Sequence, residues 1–309
     1  MIVVAALLVA PFVLSSFHTT LLVYIGLASI VALGLVLMTG VGGLTSFGQA
    51  AFVGIGAYTT AYLTTAQGVS PWLALFVGLA ITAAVALFLG AITMRLSGHY
   101  LPLGTIAWSI SLFYVFANLE GLGGYNGLAG VPPLSIGGVE LVKERQFYYV
   151  VWPAVGLAMV TIHNLLDSRP GRAIRSLRGG VVMAEAFGIN TALVKMAIFL
   201  YAALLAALSG WLFAHFLRFV NPTPFGIGAS IEYLFMAVIG GASTIWGAIV
   251  GAGILTIVKE WLQDWLPKLI GRTGQFEIIV FGILMIFLLQ HARQGVVPLV
   301  ARRYLKPRQ

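Results

Sequence analysis

The chain has 309 residues, 60% of them apolar and only 8% charged, with 37 glycines, no cysteine and a formal net charge of +8. Its mean hydropathy is +1.00. A soluble globular domain carries about a quarter charged residues, so the composition excludes one and points to a polytopic membrane protein. Without cysteine there is no disulfide, thiolate metal site or thiol nucleophile. The basic residues sit at the ends of apolar segments, so no nucleic-acid partner is expected.

Residues 1–17 are apolar and lack the basic leader and small-x-small site of a secretory signal, which predicts a retained first span. At roughly 20 apolar residues per straight crossing, further spans are predicted at 20–39, 45–66, 71–94, 100–119, 147–166 and 193–219. The stretch 229–261 is too long for one ordinary helix, and Gly240-Gly241-Ala242-Ser243-Thr244 interrupts it. Two half-length helices around that glycine turn are predicted, because broken helices are tolerated where protein packs them. A last span covers 276–291. The fold class is therefore all-α, a polytopic membrane protein with about ten transmembrane segments, a broken hairpin among them, in one domain over 1–309. Both termini fall on the inner side. That side then holds eleven Arg and Lys against two acidic residues, and the outer side six against seven, the asymmetry of the positive-inside rule.

Local signals follow in chain order. In Gly42–Tyr58, Gly48, Phe52 and Gly56 fall at i, i+4 and i+8 with Ala51 beside them, so one helix face is nearly bare and suited to close packing. Thr45, Ser46 and Gln49, with Tyr58 further on, either line a polar passage or make a structural crossing. Arg95–Thr105 reads as an inner turn, with Pro102 in the first turn of the next helix and His99 at its start. Residues 120–146 form an outer loop with too many glycines and prolines for regular structure, either a plain connector or a contact for an outside partner. Asn221–Gly228 is a stiff outer turn leading to Ser230, a predicted N-cap of the broken hairpin.

The stretch 167–192 concentrates charge: Asp167, Arg169, Arg172, Arg175, Arg178 and Glu185, then Lys195. Such a segment lies in water on the cytoplasmic side, and Ala184-Glu185-Ala186-Phe187-Gly188-Ile189-Asn190 reads as a short helix with a glycine stop. Almost no ionisable group falls deep in a span; His163, His215 and Glu232 all read as close to span ends. A proton- or sodium-driven carrier is thereby disfavoured. No Gly-x-x-x-x-Gly-Lys-Ser/Thr run binds nucleotide, and no catalytic constellation is present, so neither an enzyme nor a cofactor is expected. A self-sufficient channel or carrier for small neutral solutes stays open as the alternative.

Taken in order, these segments resemble the LivM-type permease subunit of branched-chain amino acid ABC importers. The likeness is carried by Gly43–Tyr58, Arg95–Thr105, Gly127-Leu-Ala-Gly-Val-Pro-Pro133, Gly171–Arg178, Ala184–Asn190 and Val238–Gly247 with Gly251-Ala252. The chain departs from the usual pattern at Gly179-Gly180, where a polar or acidic pair is common. The resemblance implies a type II importer-like transmembrane permease domain in a bacterial or archaeal cytoplasmic (inner) membrane. It implies three kinds of partner besides the lipid bilayer: a second related permease, two cytoplasmic ATPase subunits and an external solute-binding protein. It also implies that 181–190 is a coupling helix seated on an ATPase, with Ala184, Glu185, Ala186, Gly188 and Asn190 at the contact and Arg172, Arg175 and Arg178 flanking it. Relatives of this architecture also handle urea, short amides and other amino acids.

Overall fold

The computed structural model describes residues 10–94, 96 and 100–270, with isolated positions between 282 and 298. The predicted span at 276–291, most of the one at 1–17, the turn at Arg95–His99 and both termini lie outside the described residues. Ten helices are numbered here: α1 (Ser16–Leu35), α2 (Gln49–Ala66), α3 (Pro71–Thr93), α4 (Tyr100–Asn118), α5 (Glu144–Asp167), α6 (Arg169–Gly179), α7 (Val181–Ala186), α8 (Thr191–Leu217), α9 (Ile227–Gly241) and α10 (Ile245–Ile270). Among the described residues, six helices are long and apolar enough to cross a membrane, against the ten segments expected. Two more helices belong to the bundle without meeting that measure. α2 carries Gln49, four threonines and two glycines in 18 residues, and α9 has only 15 residues.

α1 forms the axis. Every residue from Ile25 to Leu35 is buried, as befits a helix that is apolar all round. It runs on into six residues of wider π winding, Val36–Val41. Helices α5, α8, α9 and α10 pack around it. α5 shows why each outer helix faces the way it does: its buried residues, Phe147, Val151, Val155, Ala158 and Ile162, recur every three to four positions along one stripe, and the remaining face is left for lipid.

The glycines expected to permit close packing do so, with particular partners. A Cβ on Gly56 would fall on the Ala207 carbonyl, and one on Gly210 would fall on the Val53 carbonyl. α2 and α8 therefore touch backbone to backbone, glycine from each side. Phe52 meets Phe199 edge-on at 5.5 Å along the same crossing. α2 also borrows its caps. Gly48 offers no side-chain cap, and instead the Phe47 N–H donates to Thr105 Oγ1 and the Ala50 N–H to Ser230 Oγ, each at 3.0 Å. Ser230 is thus not the N-cap of its own helix. That place falls to Gly226, and Ser230, fully buried, serves the start of α2.

The region 229–261 is a hairpin as expected, but its arms are unequal. α9 is a 15-residue arm and α10 is 26 residues long, of which Ile245–Trp265 is apolar enough to cross a membrane. The turn bends where Gly241 takes φ +119°. Gly240 lies on Gly247 and Gly251 on the Met236 carbonyl, so the two arms leave no room for a Cβ at their contact.

The loop 120–146 has more structure than its glycine content suggests. β1 (Leu128–Ala129) pairs antiparallel with β4 (Phe219–Val220) just past α8, and β2 (Ser135–Ile136) with β3 (Val139–Glu140). Indole and imidazole groups tie it down: Trp72 Nε1 donates to the Ser135 carbonyl at 3.0 Å, and His215 Nδ1 lies 2.9 Å from the Pro132 carbonyl. The glycines here supply left-handed turns between short pairings, Gly127 at φ +75° among them.

Replacing Gly210 by Leu is expected to lower the melting temperature of the detergent-purified protein by about 3–10 °C, the scale of an overpacked core site. Gly253→Ala, at a position where a Cβ meets nothing within 4 Å, serves as the control and is expected to melt within about 2 °C of wild type. Differential scanning fluorimetry checks both.

Candidate functional site

The charged connection between α5 and α8 folds into two helices with separate origins. Ser168 ends α5 and starts α6. Its Oγ donates to the Leu165 carbonyl at 2.6 Å and accepts from the Gly171 N–H at 3.4 Å, with Pro170 in the first turn, where its missing N–H costs nothing. Gly171 is tight against the last carbonyls of α5, Leu165 and Leu166, so the chain reverses in the smallest space available. Ile174 and Leu177 turn inward and are buried, while Arg172, Arg175 and Arg178 face out. Arg175 has a structural task as well: its guanidinium donates to the Leu166 carbonyl at 2.6 Å and so satisfies the end of α5.

Gly180, at φ +129°, then breaks the path, and α7 begins at Val181. The departure at Gly179-Gly180 marks this joint: Gly179 is the last residue of α6 and Gly180 the hinge. α7 closes with a Schellman motif. The Gly188 N–H donates to the Glu185 carbonyl at 2.9 Å and the Ile189 N–H to the Ala184 carbonyl at 3.1 Å, with Gly188 left-handed at φ +78°. Asn190 then caps α8, its Oδ1 accepting from the Leu193 N–H at 3.1 Å. Glu185 does not hang free, because Thr191 Oγ1 donates to its Oε1 at 2.5 Å.

Backbone hydrogen bonds at its end thus hold a six-residue helix that buries little. Ala184 alone points inward, at 1% exposure, while Val182 is 81%, Met183 62% and Phe187 80% exposed. These three are the residues that sequence reading passed over. The signal was present in Val181-Val182-Met183 and Phe187, apolar residues in a segment too charged to be a span. α6 is likewise a helix not expected from the sequence.

Of the four residues expected on a passage, Thr45 and Tyr58 line two different cavities. Thr45 lines a cleft of about 490 Å³ with Gly43, Leu177, Val181 and Lys195, next to α6 and α7. Tyr58 is buried, its ring stacked on Phe116 at 4.8 Å and edge-on to Phe225 at 5.9 Å. It borders a separate apolar cavity of about 360 Å³ between α2, α3 and α4. Ser46 is buried and accepts from the Gly48 N–H at 3.3 Å. Gln49 is buried at the first residue of α2, its amide nitrogen 3.9 Å from Met38 Sδ, and its Oε1 finds no partner among the described residues. No group of three or more His, Cys, Asp or Glu among them is placed to hold a metal ion.

Comparison with known proteins identifies the family. No solved structure matches the chain. The high-affinity branched-chain amino acid transport system permease protein LivM of Escherichia coli is 27% identical over 294 residues, which is 87% of this chain and 67% of the relative. The corresponding LivH permease of Escherichia coli is 33% identical over 141 residues, 45% of this chain and 44% of that one. The ribose import permease RbsC of Bacillus subtilis is 29% identical over 154 residues, 48% of this chain and 47% of it. The family model described as branched-chain amino acid transport system / permease component matches residues 17–289. The protein therefore belongs to the permease-component family of branched-chain amino acid transport systems and is of the LivM type.

Proposed function

We propose that this permease works in an ATP-driven importer that carries branched-chain aliphatic amino acids inward, with α7 as the part that a cytoplasmic ATPase grips. One observation carries this reading: a short, well-terminated helix that holds Val182, Met183 and Phe187 out in solvent. Such a cluster beside Arg172, Arg175, Arg178 and Lys195 sits in water by its charges, and an exposed apolar patch rimmed by charge marks a protein contact. Glu185 positions the helix through Thr191 and, with Arg172 and Arg178, forms the polar rim; Ala186, Gly188 and Asn190 shape its far end.

In this reading residues 167–192 and both termini are cytoplasmic, and 120–146 faces outward toward a solute-binding protein. The full complement is about ten membrane segments, arranged as in type II importers. A second, related permease completes the path, and two ATPase subunits supply hydrolysis, since this chain carries no nucleotide-binding motif. Closure of the ATPase pair moves the two permeases as rigid bodies, so access alternates between the two sides. Thr45 belongs to the inner end of the path, in the cleft beside α7, with Ser46 and Gln49 behind it and Tyr58 deeper in the bundle. A small hydrophobic substrate suits the apolar walls, and other small neutral solutes are the alternative cargo.

Co-expression with the neighbouring permease, ATPase and binding-protein genes tests the reading. The wild-type chain is expected to copurify with ATPase and to support uptake of radiolabelled leucine. Val182→Glu with Phe187→Glu is expected to leave the melting temperature within about 2 °C, because both side chains are exposed, and to lower ATPase copurification and uptake at least tenfold. An intact complex in the double variant would count against the docking reading. Gly188→Val is expected to loosen α7 without unfolding the bundle. A left-handed residue with a Cβ costs about 1–2 kcal/mol, so amide exchange across 184–191 should quicken about fivefold or more, as read by hydrogen–deuterium exchange mass spectrometry.

A further inference from the structure

The largest departure from the expected charge placement lies in the hairpin. Glu232 and Lys259, read from the sequence as separate outer charges, form an ion pair across α9 and α10. Lys259 Nζ donates to both carboxylate oxygens, at 2.8 and 2.9 Å. Lys259 falls within the apolar stretch Ile245–Trp265. The pair is not sealed away: the side chains are 44% and 28% exposed, and both open on one cavity of about 270 Å³ between α1, α8, α9 and α10. One water needs only about 10–15 Å³ of such space, so the cavity is of molecular size.

Two arguments separate this pair from a structural clamp. First, the arms of the hairpin are already joined where Gly240 meets Gly247 and Gly251 meets Met236, and a partly exposed ion pair adds about 1 kcal/mol or less to stability. Second, charged groups inside a membrane bundle are costly and are found where they act on something. The rest of the cavity suits one kind of guest. Leu27, Val53 and Met236 supply apolar wall, and Glu260 and Gln263 add further polar groups beside the pair. Pro224 and Phe225, just after β4, also line it, so the cavity lies toward the end of the bundle that carries the 120–146 loop.

We propose that this cavity binds a zwitterionic aliphatic amino acid, its carboxylate taken by Lys259 and its ammonium by Glu232 as the internal pair opens. One ion pair is exchanged for two, and no net charge is left in the cavity by the exchange. The guest's alkyl chain lies against the apolar wall. The assignment rests on the transport reading above and names the site within it.

The test uses scintillation-proximity binding to the purified chain of three radiolabelled ligands, each measured directly and in competition: leucine, 4-methylpentanoate, which lacks the ammonium, and isopentylamine, which lacks the carboxylate. Wild type is expected to prefer leucine to either competitor at least tenfold. Glu232→Gln should lose leucine at least tenfold yet keep 4-methylpentanoate, and Lys259→Met should lose leucine and keep isopentylamine. Glu232→Leu with Lys259→Met is expected to fold with a melting temperature near wild type and bind none of the three. If the single variants melt lower but discriminate the three ligands as wild type does, the pair is a clamp and the proposal fails. Leucine uptake by the co-expressed importer separates the two readings. Uptake by wild type that Glu232→Gln and Lys259→Met leave unchanged overturns the site and spares the transport reading. Absence of uptake by the wild-type complex overturns the transport reading, while the discrimination pattern still decides the site.

Discussion

Helices in a bilayer gain nothing from hiding apolar surface from one another, since lipid tails are as apolar as leucine. Their association depends on how closely backbones can approach. The crossing of α2 on α8 is the case on which this bundle turns: Gly56 against Ala207 and Gly210 against Val53 place two main chains in direct contact. From that crossing follows the position of Phe52 on Phe199, and of the α2 N-terminus where Ser230 and Thr105 can cap it. The hairpin repeats the device with Gly240, Gly247 and Gly251, and the π-helical end of α1 meets the hairpin turn through Gly40, whose missing Cβ leaves space for the Ala242 carbonyl. Glycine is abundant here because it is the residue that lets dispersion forces act at the shortest range.

Spans and exposed connections were readable because hydropathy and charge are one-dimensional quantities. The ends of α3, α4 and α8 fall within a few residues of expectation, and the glycine stop after Phe187 is a local rule that three-dimensional context does not alter. What escaped depends on partners far apart in the chain. Ser230 looks like an N-cap to any local rule, yet it serves a helix that begins 180 residues earlier. The 120–146 loop looks irregular until Phe219–Val220 comes alongside as a strand. Glu232 and Lys259 sit at unequal distances from their turn, nine residues before Gly241 and fourteen after Ile245, an axial offset of about 7.5 Å at 1.5 Å per residue. The long lysine stem spans that offset, and no periodicity in the sequence announces it.

The expected passage residues illustrate a related limit. Polar side chains on a membrane helix mark a path only when their hydrogen bonds are not met at home. Ser46 meets its need with the Gly48 N–H, and Thr60 and Thr64 meet theirs with the carbonyls of Gly56 and Thr60 at 2.7 and 2.8 Å. Gln49 is different: a buried amide at the start of α2 whose oxygen has no partner among the described residues is a poorly solvated group at a junction of helices. Sequence alone does not distinguish these cases, because all are small or medium polar residues in apolar surroundings.

The 27 residues of α8 run unbroken from the Thr191 clasp on α7 to the β4 strand. At 1.5 Å per residue the helix is about 40 Å long, and it contains no proline or π turn to absorb bending. Its main-chain contact with α2 is at Gly210, nineteen residues from Thr191 and seven from Leu217. On the short arm beyond it sit Trp211, which donates to the Pro71 carbonyl, and His215, which reaches Pro132 in the 120–146 loop. A tilt of about 5° around Gly210 moves the Thr191 end, about 28 Å away, by about 2.5 Å and the Leu217 end by about 1 Å, so motion at the α7 end is geared down at the loop contacts, distance exchanged for force.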